Sequence, residues 1–201
     1  MNKAKELEKI KREVANLRTS LLYEYRKKND YLHVMGEGSC DAKIVFVGEA
    51  PGKNEAEQGS PFCGASGRVL DKLLSVAGIS RSDVYITNIV KDRPPENRDP
   101  SSEEIELYAP FLDREINIIK PAIIVTLGRF SAEYLMKKYG LIDSLAPMRE
   151  IHGHSIRVKT EYGNAYLVPM YHPAASLYSK TTKEKAEKDI KILSNLLHKL
   201  S

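Results

Sequence analysis

The segment KIVFVGEAPG, residues 43–52, decides how the chain is read. Ile44 to Val47 are apolar, β-branched or aromatic without a break. A strand covered on both faces has no polar side to show, so KIVFVG predicts a short, buried parallel strand. GEAPG cannot extend it, because Pro51 has no N–H to donate and Gly48 and Gly52 favour a turn. An apolar strand that ends in a polar, glycine-rich loop is the first half of a strand–loop–helix unit.

The same unit recurs on the C-terminal side. Residues 64–77 carry Val69, Leu70, Leu73, Leu74 and Ala77 at helical spacing. VYITNIV (84–90) predicts a second strand, stopped by PPENRDP (94–100), whose prolines cannot continue a ladder. Ser101 and Ser102 before Glu103 and Glu104 form an N-cap signature for a helix to about residue 119. PAIIVTLG (121–128) predicts a third strand and 129–139 a further helix. Residues 150–159 and 165–170 are strand-like around the turn Glu161-Tyr162-Gly163-Asn164, and a last helix starts at Lys183. Strands alternating with helices predict an α/β sandwich around a mainly parallel sheet. On the N-terminal side, Leu7, Ile10, Val14, Leu17 and Leu21 predict one amphipathic helix over the first 28 residues. Residues 1–30 are expected to pack as a helix on a domain spanning 31–201, with a loop over 30–41.

Composition bounds the function. The chain has 201 residues, 42% hydrophobic and 29% charged, which suits one well-cored domain. No apolar run reaches the roughly 20 residues of a membrane span, and no signal-peptide core is visible, so a cytoplasmic address and no membrane partner are expected. Cys40 and Cys63 form no CxxC pair, which argues against a disulfide framework or a four-thiolate metal site. A net charge of +4 permits a polyanionic partner without requiring one. Gly48-Glu-Ala-Pro-Gly-Lys53 superficially matches a phosphate loop. It has one residue too few between its glycines, lacks the magnesium-binding Ser/Thr, and puts Glu49 where phosphates would lie. His152 and His154 have no nearby carboxylate or cysteine in the sequence to complete a zinc site.

In open α/β sheets, ligands bind beyond the carboxyl ends of the strands. Polar segments cluster there: GEAPG (48–52), SPFCG (60–64), TNIVK (87–91) with RPPENR (93–98), and YHPAAS (171–176). In this order and at these separations they resemble the uracil-DNA glycosylase superfamily, most closely its family 4, from about residue 36 to the C-terminal helix. Each motif alone is weak; the ordered set is specific. The resemblance implies a three-layer α/β/α sandwich around a central, mainly parallel four-stranded sheet. It also implies a prokaryotic, nucleoid-associated repair enzyme, expected to be a monomer, that flips uracil out of DNA and hydrolyses its N-glycosidic bond. A broader deaminated-base glycosylase (hypoxanthine, xanthine) and a catalytically silent DNA-binding member of the fold are the alternatives.

The resemblance also assigns roles. Phe62 is the platform under the base, although a core phenylalanine is the competing reading. Asn88 is the edge reader, since one amide can both donate to uracil O4 and accept from N3–H; alone, it would read better as a strand-end turn residue. His172 is the donor to O2, where negative charge collects as the base departs. Glu49 handles water and the cationic sugar, because the position where another branch has its catalytic Asp is Ala50 here. Ala50 and Glu55 line the pocket. Ser66, Arg68, Lys91, Arg93, Pro94, Asn97 and Arg98 are assigned to DNA phosphates, and Ser176, Leu177 and Tyr178 to a wedge that fills the vacated stack. Family 4 usually holds a 4Fe-4S cluster through four cysteines. Here the third position is Asp92, the fourth aligns with Tyr108, and the region of the first pair, around 20–25, has none. No cluster and no other cofactor or metal is therefore expected. The basic, His-bearing insert of the DNA-trapping relatives is also missing, so turnover is expected.

Overall fold

The computed structural model describes residues 2–200. The predicted strand 43–48 is β2 (Ile44–Gly48), buried along its whole length. It follows a two-residue edge strand, β1 (Glu37–Gly38), inside the segment expected to be a loop. β3 (Tyr85–Asn88), β4 (Ile123–Leu127), β5 (Ile156–Thr160) and β6 (Gly163–Met170) complete one sheet in the order β1-β3-β2-β4-β6-β5. The four inner strands run parallel and both edge strands antiparallel. The sheet therefore has six strands rather than four: the expected parallel core is present, and β1 and β5 extend it. Residues 148–151, expected to be partly strand, form a single helical turn before β5.

Alternation along β2 splits the interior. Ile44 and Phe46 face a core with Ile86, Ile123 and Val125, closed by α4 (Ala65–Val76) and α9 (Lys180–Leu200) through Leu70, Leu74, Ile190 and Leu193. Val45 and Val47 face Ile124 and Leu167, closed by α5 (Ser102–Ile119) and α6 (Arg129–Lys138) through Leu112, Ile116, Leu135 and Met136. This is the three-layer α/β/α sandwich. α5 starts on the expected signature: Ser101 Oγ accepts the Glu104 N–H while the Glu104 carboxylate accepts the Ser101 N–H.

The N-terminal segment corrects the expectation of one helix. It is two, α1 (Lys3–Ala15) and α2 (Leu21–Lys28), interrupted at Asn16 and restarted by Ser20, whose hydroxyl accepts the Leu22 N–H. The break shifts the apolar phase by one residue. Leu22 is buried with Ile10, Val14, Tyr108 and Ile118 against the outer face of α5, and Leu21 faces solvent. The remaining helices are short: α3 (Lys53–Gln58), α7 (Met148–Ile151) and α8 (Ala175–Tyr178). Among the described residues no helix is long and apolar enough to cross a membrane.

Candidate active site

β3 and β4 lie on opposite sides of β2, so the chain changes direction in the sheet at the carboxyl end of β2. A cavity of about 430 Å³ opens at that switch point, lined by Glu49, Ala50, Gly52, Glu55, Phe62, Ser66, Asn88, Pro94, Asn97, Arg98, Asp99 and His172 among others. Ten of the predicted residues meet there. The volume lies in the range of small-molecule sites.

Asn88 ends β3 opposite Gly48 in the parallel register and is almost wholly buried. A Cβ at Gly48 would stand 2.3 Å from Asn88 Oδ1 and 2.7 Å from the Phe62 ring, so only glycine lets amide and ring approach this closely. Phe62 is both a core and a cavity residue. Its φ of 51° is rare for a bulky side chain, and such strain concentrates at functional positions. The strained loop is held from behind by Arg81, which donates to the carbonyls of Pro61 and Phe62 and pairs with Asp71. Gly67 admits the Phe62 carbonyl where a Cβ would collide at 1.7 Å. The Phe62 ring lies 5.9 Å from the His172 imidazole, centroid to centroid.

His172 follows β6 by two residues. Its Nδ1 accepts the Ala174 N–H at 3.2 Å, which places the ring proton on Nε2. Burial pushes its pKa down to about 4, with the Glu55 carboxylate opposing. The imidazole is therefore neutral around pH 7 and presents an N–H donor. Glu55, on α3, accepts the Gly64 N–H at the start of α4. Glu49 shows the opposite effect: burial, aided by the Asp99 charge and opposed by Arg129, pushes its pKa up to about 7. Asp99 was not singled out in the sequence beyond its place in PPENRDP; it lines the cavity and pairs with Arg129 at 3.1 Å.

The other residues assigned to DNA divide. Arg68 is exposed on the first turn of α4, and Leu177 and Tyr178 project from α8, with Ser176 beside them half-buried. Arg98 lines the cavity while clamping Glu104 through two hydrogen bonds of 2.8 and 2.6 Å. Two assignments are corrected. Lys91 has no exposed surface; its ammonium is spent on Glu115, Thr87 and the Asn88 carbonyl. Arg93 is buried over the Tyr31 ring and donates to the Tyr31 hydroxyl and Asn97 Oδ1, both at 2.7 Å. Neither reaches a phosphate from these positions. Arg93 holds Asn97, and Lys91 holds the end of β3 at Asn88.

The positions that correspond to a cluster site do come together. Asp92 Oδ2 accepts the Tyr108 hydroxyl at 2.6 Å, Tyr108 reaches Ser20 Oγ at 3.0 Å, and Arg26 donates to Asp92 Oδ1 at 2.8 Å and to the Ala15 carbonyl at 2.6 Å. An iron-sulfur cluster needs thiolates. This set supplies a carboxylate, two hydroxyls and a guanidinium, so it does not fit one. Cys40 and Cys63 are free thiols that sit before β2 and before α4.

Fold and site together define an α/β protein with a cavity at its sheet's switch point, walled by a phenyl ring, an amide, an imidazole and a carboxylate. The chain belongs to the uracil-DNA glycosylase superfamily, whose model, described as "Uracil DNA glycosylase superfamily", matches residues 35–196. It is 43% identical over 191 residues to a type-4 uracil-DNA glycosylase of Sulfurisphaera tokodaii, covering 94% of this chain and 84% of that protein. It is 41% identical over 199 residues to the type-4 uracil-DNA glycosylase of Saccharolobus solfataricus, covering 95% and 86%. For that of Archaeoglobus fulgidus the identity is 39% over 193 residues, covering 96% and 94%.

Proposed function

We propose that the protein is a monofunctional uracil-DNA glycosylase that hydrolyses the N-glycosidic bond of a flipped-out uracil and leaves an abasic site for base excision repair. The observation that carries this reading is the meeting of Glu49, Phe62, Asn88 and His172 on one cavity from four separate chain segments.

Each group supplies one need of the reaction. A base cannot be reached inside a duplex, so it is extruded at a cost of a few kcal/mol. Stacking on Phe62 returns roughly 1–3 kcal/mol. The Asn88 amide has no hydrogen-bond partner among the described residues and is available to the O4 and N3–H edge. Cytosine inverts that edge and would leave buried polar groups unpaired. As the bond breaks, charge collects on O2, where the neutral His172 Nε2–H donates; such a donor is worth about 3 kcal/mol. Glu49, poised near neutrality, faces the oxocarbenium-like sugar as a carboxylate while the C–N bond breaks, orients water, and then accepts the water's proton as its oxygen bonds to the sugar C1′. Ser66, Pro94, Asn97 and Arg98 line the cavity and, together with Arg68, are assigned to the DNA backbone, and Ser176, Leu177 and Tyr178 act as the wedge. The enzyme works as a monomer without an iron-sulfur cluster.

The test is a panel of oligonucleotides carrying a single uracil, hypoxanthine or xanthine, scored by strand cleavage at the abasic site. Uracil release, slowed at least about tenfold (roughly 1.4 kcal/mol) by each of Asn88→Ala, His172→Ala and Glu49→Ala, is the expected result. Release of the purines at comparable rates would replace uracil with the broader substrate class. No release from any of them would make the chain a silent DNA-binding member of its fold.

A further inference from the structure

Lys91 has no exposed surface, yet it carries a charge into the interior against Glu115, which is equally buried. The ammonium has three hydrogens and three acceptors: Glu115 Oε2 at 2.5 Å, Thr87 Oγ1 at 2.7 Å and the backbone carbonyl of Asn88 at 2.6 Å. The carboxylate is also saturated. Oε2 accepts the Thr87 hydroxyl at 2.9 Å, and Oε1 accepts the Tyr85 hydroxyl at 3.1 Å and the Gly36 N–H at 3.3 Å.

Stability alone does not account for this pair. Taking two charges out of water costs about what their attraction returns, and apolar residues of similar size commonly serve as well or better. An apolar pair cannot, however, hold a carbonyl. The Asn88 carbonyl lies at the last residue of β3, and the following amides are tied to the neighbouring strand end: Ile89 N–H to the Gly48 carbonyl at 3.1 Å and Val90 N–H to the Glu49 carbonyl at 3.0 Å. The residue after Lys91, Asp92, is clamped to Tyr108 on the same helix as Glu115, seven residues and two turns away on one face. α5 therefore grips the chain just past Asn88 at two consecutive residues.

We propose that the buried Lys91–Glu115 pair is a positioning element for the Asn88 amide, fixing the carbonyl of that residue so that its side chain meets the uracil edge at one angle. This rests on the assignment of Asn88 as edge reader. The pair touches neither base nor sugar and acts through Asn88 alone.

A double-mutant cycle on single-turnover uracil release separates this from a general structural role. Lys91→Met with Glu115→Gln removes both charges together, so no buried charge is left unpaired. The paired variant slows release at least tenfold in the parent and less than twofold in an Asn88→Ala background, at a temperature where all four proteins are folded. Equal slowing in both backgrounds, or none in the parent, overturns the proposal. If Asn88→Ala itself leaves release unchanged, the assignment of the reader fails, and the proposal with it. Should the paired variant not fold, Glu115→Gln alone carries the same cycle, with at least threefold slowing in the parent and none without Asn88.

Discussion

The Nδ1 of His172 accepts the N–H of Ala174, two residues ahead in the same turn, and this bond selects the tautomer whose Nε2–H is free to donate. Because burial holds the ring pKa near 4, the donor is neutral around pH 7. A neutral donor stabilises charge as it develops without a proton to lose or gain. His172→Ala should lower the single-turnover rate on the order of a hundredfold, as expected for the loss of one preorganised donor. A loss below about threefold would remove His172 from the mechanism.

The proposed role of Glu49 as base predicts that it sets the acid side of the pH profile. Its pKa of about 7 means that the ionised base is lost as pH falls, so kcat/KM should drop about tenfold per pH unit below that value. The Asp99 charge raises this pKa and Arg129 lowers it. Asp99→Asn should therefore move the limb to lower pH and increase activity at pH 6, and Arg129→Gln should move it higher. A limb insensitive to both, or a profile that rises toward acid, would mean that a different group titrates.

The parts of this design legible in the sequence are those governed by local rules. The run from Ile44 to Val47 had to be a buried strand, and Ser101 with Glu104 had to start a helix; both follow from neighbours a few residues apart. The four cavity groups were legible because each sits at a strand end or in a glycine-rich loop, as the resemblance required. What escaped depends on distant partners. Lys91 and Arg93 read as surface cations until Glu115 and Tyr31, 24 and 62 residues away, draw them inside. The break between α1 and α2 was written in Asn16 and Ser20, but Leu21 continues the apolar spacing of α1 and hid it. The edge strand β1, Glu37–Gly38, is two residues long, too short for any periodicity to show.

Two glycines should separate activity from stability. Gly48→Ala drives a methyl group into Asn88 Oδ1 and the Phe62 ring, an overpacking expected to cost about 1–3 kcal/mol and to abolish productive base binding. Gly78, with a φ of +66°, has nothing within 4 Å of its would-be Cβ, so Gly78→Ala costs only backbone strain, roughly 1–2 kcal/mol. The two variants should melt at similarly reduced temperatures, and only Gly48→Ala should lose uracil release. Comparable activity in both would mean that the close approach of reader and platform is not needed.

The Arg26–Asp92–Tyr108–Ser20 network joins α2 to the loop behind the active site with no thiolate in it. Arg26→Leu leaves Asp92 buried without its counter-charge, a change that typically costs about 3–5 kcal/mol. For a chain of this size that lowers Tm on the order of 10 °C. Combining it with Asp92→Asn should recover part of the loss. Iron and sulfide analysis of freshly purified protein should find neither, and about four irons per chain would overturn the expectation of a cluster-free enzyme.

Leu177 and Tyr178 are 46% and 89% exposed on a four-residue helix whose own contacts are chiefly with α9. Single exposed apolar side chains are ordinary on a protein surface, so it is their place on the helix just after the His172 loop that singles these two out. Their proposed work is to occupy the stack from which the base has left. That work exists only in a duplex, where unstacking costs a few kcal/mol, and is absent from a single strand. Leu177→Ala and Tyr178→Ala should each be compared on duplex and single-stranded uracil substrates. The residue that forms the wedge will slow release from the duplex at least about fivefold (roughly 1 kcal/mol) while leaving the single strand within twofold. Equal effects on both substrates for both variants would place the wedge elsewhere in the structure.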